Sequence, residues 1–223
     1  MLRNAQEVVT REELQMLYDR PGKRGYIGFE PSGMAHIGWL VQARKVTDLQ
    51  KAGFHVVIYL ADWHAYINDK FGGDMDAIKA CGEYMKDCFL ALGADEEKTI
   101  FTWASELVGG QAYWEKVIKV AKSTTLLRTR RALSIMGRKE DEADTDMSKF
   151  FYPAMQAADI FDLEVDVACA GMDQRKVHVL AREVAKYLGR KKPILLHTPL
   201  LPSLDGPVPR RSEEKIETKM SKS

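Results

Sequence analysis

The run HVVIYLAD, from His55 to Asp62, is apolar at nearly every position and rich in β-branched residues. A strand of that kind has no face fit for water, so both of its faces must be covered by other elements. Parallel sheets wrapped by helices meet that condition, and the rest of the chain supplies the pieces. GYIGFE (Gly25 to Glu30), KTIFTWAS (Lys98 to Ser105), VDVACAG (Val165 to Gly171) and PILLHTPL (Pro193 to Leu200) read as further short strands. Between them lie helical patterns. Leu40, Val41, Ala43, Val46 and Leu49 recur at helical spacing from Gly38 to about Ala52, and Gly53 closes that helix. Others fill about Met75 to Leu92, Gln111 to about Arg138, about Phe151 to Leu163, and QRKVHVLAREVAKYL from Gln174. Thr10 and Glu13 form a capping box that opens the helix REELQMLYDR, which Pro21-Gly22 is expected to end. Strand and helix alternate almost throughout, so the expected fold is α/β, a parallel sheet flanked by helices.

Length allows one large domain or two small ones in 223 residues. A formal net charge of +1 excludes global basicity, so any nucleic-acid contact must come from a local patch. Cys81, Cys88 and Cys169 have no CxxC spacing and read as reduced thiols. Cys81 and Cys88 fall on one face of a single helix, for packing or, alternatively, for a metal. The charged start MLRNAQEVVTREEL has no signal-peptide core, and no apolar run reaches the roughly 18 residues of a membrane span. A cytoplasmic protein without membrane contact is expected. The acidic stretch KEDEADTD reads as a solvated loop, and the Pro-, Ser- and charge-rich segment from about 201 to 223 as a mobile one.

Ligands of open parallel sheets sit beyond the carboxyl ends of the strands. The first strand-to-helix turn there is FEPSGMAHIGWL, Phe29 to Leu40. A helix starting near Gly38 directs free N–H groups and a positive dipole end forward, and glycine at its start admits a planar base or ribose. His36 adds a donor suited to a phosphate oxygen, unless it is simply a loop histidine beside a tight turn. Farther along, the helix FYPAMQAADIFDL carries Tyr152, Gln156 and Asp159 at i, i+4 and i+7, so a hydroxyl, an amide and a carboxylate share one face. They form either a ligand stripe or a solvated face. His64 in ADWHAY follows the second strand, as a pocket wall or a structural histidine. Lys122, Arg128, Arg130, Arg131, Arg138 and Lys139 make one segment basic, for solvation or for phosphates.

HIGW (His36 to Trp39) resembles the HIGH signature of class I aminoacyl-tRNA synthetases, and KMSKS (Lys219 to Ser223) matches their second signature in full. YIGFEPSG, LADWHAY, YPAMQAADI and VDVACAGMDQRKVHVLARE are similar to tyrosyl-tRNA synthetases of the archaeal and eukaryotic type. The resemblance covers nearly all of the chain from about residue 24. It implies a Rossmann-like, HUP-type catalytic domain over 1–223, with a helical connective insertion at about 111–150 and a mobile KMSKS loop. The implied activity is tyrosine–tRNA ligation: ATP converts L-tyrosine to tyrosyl-adenylate, and tyrosine then passes to tRNA(Tyr). Mg²⁺ would accompany ATP as substrate, with no dedicated protein metal site.

By the same resemblance Tyr26 and Asp159 bind the tyrosine phenol, and Tyr152, Gln156 and Gln174 hold its amino end. Glu30 and His64 complete that pocket. Ser32, His36, Gly38, Trp39, Gly171 and Asp173 serve ATP and its ribose, together with Lys219, Met220, Ser221, Lys222 and Ser223. His36, Lys219 and Lys222 would meet the phosphates as charge develops on them. The insertion would build a homodimer and approach the tRNA acceptor arm. Two departures stand out. Trp39 occupies the last position of HIGH, and the chain stops at Ser223, where the family continues into an anticodon-binding domain. The expectation is therefore a fragment, or a reduced protein reading only the acceptor end. Tryptophanyl-tRNA synthetase, and a catalytically silent tRNA- or protein-binding remnant, are the alternatives.

Overall fold

The apolar runs pair as their composition demands. The computed structural model describes residues 1–136 and 146–201, and its six strands form one sheet. In chain order the elements are β1 (Glu7–Val9), α1 (Arg11–Met16), β2 (Arg24–Phe29), α2 (Trp39–Lys51), β3 (His55–Leu60), α3 (Asp62–Ile67) and α4 (Met75–Ala91). β4 (Thr99–Trp103), α5 (Ala104–Val108), α6 (Gln111–Lys122), α7 (Leu126–Ala132), α8 (Tyr152–Asp162), β5 (Val167–Gly171), α9 (Arg175–Val184) and β6 (Ile194–Thr198) follow. The strand order is β1-β6-β5-β2-β3-β4. Five strands run parallel, with β2 between β3 and β5.

The alternation of side chains along each strand builds two cores. Tyr26, Val57, Tyr59, Ala168 and Leu195 face α6, α8 and α9. Ile27, Val56, Ile58, Leu60, Cys169 and Leu196 face α2 and α4. Both faces are buried, as the composition of HVVIYLAD requires.

Three expectations need correction. The sheet is mixed, because β1 pairs antiparallel with β6, Glu7 opposite His197. This strand of three residues is held by side chains as well as by its ladder. Glu7 Oε2 lies 2.8 Å from His197 Nδ1, and Arg175 donates to the same carboxylate at 2.8 Å. Arg175 holds the Glu7 carboxyl below its usual range. His197 Nε2 in turn lies 3.1 Å from Nδ1 of the buried His178. Second, α1 has its expected capping box but stops at Met16, well before Pro21. Third, the helix expected from Gln111 to about Arg138 breaks after Lys122 and restarts at Leu126, capped by the Thr125 side chain. Ser123, Thr124 and Thr125 form the break, where hydroxyls compete for the helical hydrogen bonds; Ser123 Oγ and Thr124 Oγ1 both donate back to Val120 O.

Two short helices went unforeseen, and one carboxylate ties them together. Asp62 Oδ1 accepts from the N–H groups of Trp63 at 2.9 Å and Ser105 at 3.0 Å, tying the start of α3 to that of α5. Met75–Ala91, Tyr152–Asp162 and the strands after β1 fall where the periodicity puts them, within a few residues. No helix among the described residues is long and apolar enough to cross a membrane.

Gly82 lies inside α4, where alanine would improve helix propensity by about 0.8–1 kcal/mol. A Cβ there, however, would overlap the Trp103 ring at the end of β4, and Lys86 Nζ lies 4.9 Å from that ring's centroid. Overpacking costs about 1–3 kcal/mol, so Gly82→Ala should destabilise the protein by about 1 kcal/mol net. Urea melts of the two proteins test this, and a more stable variant would show that the tryptophan moves aside freely.

Candidate active site

The switch between β2 and β5 opens the sheet at the carboxyl ends of its central strands, and the candidate side chains gather there. β2 delivers Tyr26 and, just past its end, Glu30. The β3–α3 junction delivers His64, and β5 runs into Gly171, Asp173 and Gln174. α8 packs across this edge with Tyr152, Gln156 and Asp159 all buried. The reading of that helix face as solvated is thereby overturned.

Asp159 is fully buried, and its neighbours are phenols and an imidazole. Tyr113 donates its hydroxyl to Asp159 Oδ1 at 2.9 Å. The Tyr59 hydroxyl approaches the same carboxyl without the alignment of a hydrogen bond. His64 Nε2 stands 3.2 Å from Oδ2, a distance that would admit an ion pair. Burial decides against one. It pushes the Asp159 carboxyl up to about 8 and the His64 imidazole down to about 3, so both groups are neutral near pH 7. Neither His64 Nε2 nor Asp159 Oδ2 makes a hydrogen bond within the protein. Tyr26 completes the ring of groups, with burial and then the Asp159 charge raising its phenol above the ordinary value. It can lie flat only because residue 28 is glycine: a Cβ at Gly28 would overlap the Tyr26 hydroxyl.

A second cluster surrounds Glu30. Tyr152 donates to Glu30 Oε1 at 2.5 Å, and Asn68 Nδ2 reaches both carboxylate oxygens at 3.1 and 3.0 Å. The same amide bonds Met136 O at 3.2 Å. Beside it Gln156 Nε2 donates to Gln174 Oε1 at 3.1 Å, and Gln174 Nε2 donates to Ile135 O at 3.0 Å. Gln174 Nε2 also lies 3.3 Å from Asp173 Oδ2. Tyr152 links the clusters, its ring packed edge-on against His64 at 4.7 Å.

The turn before α2 is held from α4. Gly33 N–H donates to Cys81 Sγ at 3.3 Å, and Ala35 N–H to the Tyr84 hydroxyl at 3.3 Å. Cys81 thus serves packing and the turn. Within the turn, Gly38 N–H donates to His36 Nδ1 at 3.1 Å, which leaves the proton of the neutral ring on Nε2. Gly38 caps the start of α2 as expected. Trp39 is placed otherwise than expected: it is buried against Phe89, ring centroids 5.7 Å apart, and against Phe29 at 5.6 Å. Core packing takes up most of the indole. Ser32 lies in the same turn. Lys219, Met220, Ser221, Lys222 and Ser223 lie outside the described residues, as do Arg138 and Lys139.

Away from both clusters a cavity of about 330 Å³ opens between α7, α9 and the start of α8, lined by Thr124, Arg128, Arg131, Arg175 and Lys176. Lys176 donates to Arg131 O at 2.8 Å and Ser134 Oγ at 3.0 Å. Among the described residues no three metal-ligating side chains come together.

Tyr113, Tyr59, Asn68 and Tyr84 were not foreseen. Only Tyr113 left a trace in the sequence: with Val117 and Val120 it forms a buried i, i+4, i+7 stripe, and a buried tyrosine needs a partner for its hydroxyl.

Residues 22–223 match the family described as tRNA synthetases class I (W and Y). The chain is 50% identical over 228 residues to a tyrosine–tRNA ligase of Aeropyrum pernix, covering 99% of this chain and 63% of that protein. It is 52% identical over 205 residues to the tyrosine–tRNA ligase of Sulfolobus acidocaldarius, covering 92% and 57%. The crystal structure of tyrosyl-tRNA synthetase complexed with L-tyrosine from Archaeoglobus fulgidus superposes with a TM-score of 0.86 at 43% identity, covering 98% of this chain and 64% of that one. The chain spans about three fifths of the length of these curated relatives.

Because the Asp159 carboxyl is raised to about 8 in the folded state from an ordinary 3.8, the folded protein holds a proton that the unfolded chain loses. Its contribution to stability is whole below pH 4 and is lost as pH rises toward 8. Asp159→Asn should therefore gain on the native protein between pH 5 and 9, by at most on the order of 4 kcal/mol. Thermal melts across that range check it, and parallel pH curves would mean that the buried carboxyl is ionised throughout.

Proposed function

Because this chain belongs to the tRNA synthetases class I (W and Y) family, we propose that it is the catalytic domain of a tyrosine–tRNA ligase, acting in the cytoplasm. The tyrosine carboxylate attacks the α-phosphorus of ATP, the bond to pyrophosphate breaks, and tyrosyl-adenylate forms. The tRNA(Tyr) 3′ end then takes the tyrosyl group and AMP leaves. Catalysis is positioning and electrostatic stabilisation, with no covalent protein intermediate. Mg²⁺ arrives with ATP as part of the substrate.

The observation that carries this reading is the buried Asp159 carboxyl, one oxygen bonded by Tyr113 and the other without a hydrogen bond. A phenol hydroxyl pairs with that oxygen, accepting from the neutral carboxyl or, once binding ionises it, donating to it, with Tyr26 and His64 beside it. Phenylalanine would bury the same group unpaired, at about 1–3 kcal/mol or more. The amino end of tyrosine falls to Tyr152, Gln156 and Gln174, with the Glu30 carboxylate supplying the opposite charge. ATP takes the turn: Ser32, Gly38 and the edge of Trp39 border it, Gly171 and Asp173 meet the ribose, and the His36 Nε2 proton meets phosphate. The KMSKS residues, Lys219 to Ser223, close on the phosphates from the other side. The Archaeoglobus enzyme, crystallised as a complex with L-tyrosine, supports the amino acid assigned here.

The cations Arg128, Arg131, Arg175 and Lys176 around one cavity support phosphate contact with the tRNA acceptor end. Trp114 and Ile118 on α6 are 39% and 63% exposed, which supports self-association through the insertion.

Pyrophosphate exchange with single amino acids tests the reading. Tyrosine should drive exchange, and tryptophan and phenylalanine should not; exchange with tryptophan alone, or with nothing, overturns it. His36→Ala should slow adenylation about 100-fold while tyrosine affinity stays within about twofold, because the histidine acts on the developing charge. Matched losses in rate and tyrosine binding would make His36 a structural residue.

A further inference from the structure

Asp159 cannot select a phenol unless its carboxyl is held in one orientation, and nothing on α8 itself holds it. Oδ1 has a single well-formed hydrogen bond among the described residues, from Tyr113 at 2.9 Å. That hydroxyl comes from α6, which lies 46 residues earlier in the chain and belongs to the helical insertion. Three residues along each helix a second rung repeats the contact, Lys116 Nζ to Asp162 Oδ1 at 2.5 Å. The two rungs fix both the axial position of α6 on α8 and its rotation. Tyr113 is buried with Val117 and Val120, so its ring has no other place to go.

We propose that Tyr113 is a positioning residue for amino-acid selection: by taking Asp159 Oδ1 it aims Oδ2 at the hydroxyl of the bound amino acid. The inference rests on the proposed tyrosine site and adds a residue to it from outside the pocket-lining set. Without the Tyr113 hydroxyl the carboxyl loses its one aligned donor. It is then free to rotate toward Tyr59 or to spend Oδ2 on a new partner within the protein. Either change weakens the response to a substrate hydroxyl while leaving the apolar walls that hold the ring. Selectivity should suffer more than binding as such.

The test is equilibrium binding of L-tyrosine and L-phenylalanine to the full chain and to Tyr113→Phe, which removes one oxygen and keeps the ring. The tyrosine preference should fall about tenfold or more, the factor expected for one buried hydrogen bond, with ATP affinity within about twofold. Lys116→Ala serves as the control for helix docking. It cuts the second rung without touching Asp159, and it should lower thermal stability while leaving the preference intact. An unchanged preference in a folded Tyr113→Phe, or an equal loss in Lys116→Ala, overturns the inference and leaves the tyrosine site standing. If the unsubstituted chain binds no tyrosine, the site and the inference fall together. A carboxyl ¹³C titration needs no ligand. The Asp159 signal should titrate higher in Tyr113→Phe, because the lost donor favoured the ionised form; an unmoved titration overturns the positioning role.

Discussion

β2 has a strand on each side, and those two strands come from opposite halves of the chain. β3 and β4 follow it directly through α2 and α4; β5 and β6 return to its other flank only after the whole run from α5 to α8. The connections leaving β2 and β5 therefore diverge, and the carboxyl ends of such a pair are where parallel α/β sheets form their crevice. Glu30, Gly171, Asp173 and Gln174 border it because the strands end where they do. α8 closes it from one side. Had β5 paired with β4 instead, the same residues would lie along an edge with nothing to converge upon.

The polar cluster under α8 runs against the interests of stability. Asp159, His64, Tyr59 and Tyr113 are placed where an apolar core would pack at no desolvation cost. Keeping the groups neutral limits that cost: the carboxyl holds its proton and the imidazole does without one. The surrounding core, with Val57, Val117, Met155, Ile160 and Leu195, offsets the remainder. A donor brought to this point by any ligand would shift the carboxyl back toward its ionised form, so such binding would release a proton.

Segments whose composition admits one environment were legible in the sequence. HVVIYLAD and VDVACAG could only be buried strands, and the spacing in FYPAMQAADIFDL was enough to place Tyr152, Gln156 and Asp159 on one face. β1 was not legible. Three residues carry too little pattern, and the strand depends on Glu7 meeting His197 and Arg175, partners far along the chain. The break at Ser123 to Thr125 was hidden by apolar positions that keep helical spacing across it. Short helices such as α3 and α5 escape periodicity altogether, since neither completes two turns. Tyr113 and Asn68 show the general limit. Each acts through a hydrogen bond to a residue dozens of positions away, and a motif read along the chain records the acceptor without its donor.

Gly28 bears on the candidate site through Tyr26. Its missing side chain is the space that the Tyr26 hydroxyl occupies, so positions 26 and 28 cannot vary independently. A larger residue at 28 requires the Tyr26 ring to shift or to be shortened. A library that varies position 26 is thereby constrained by position 28, where the residue has no side chain at all.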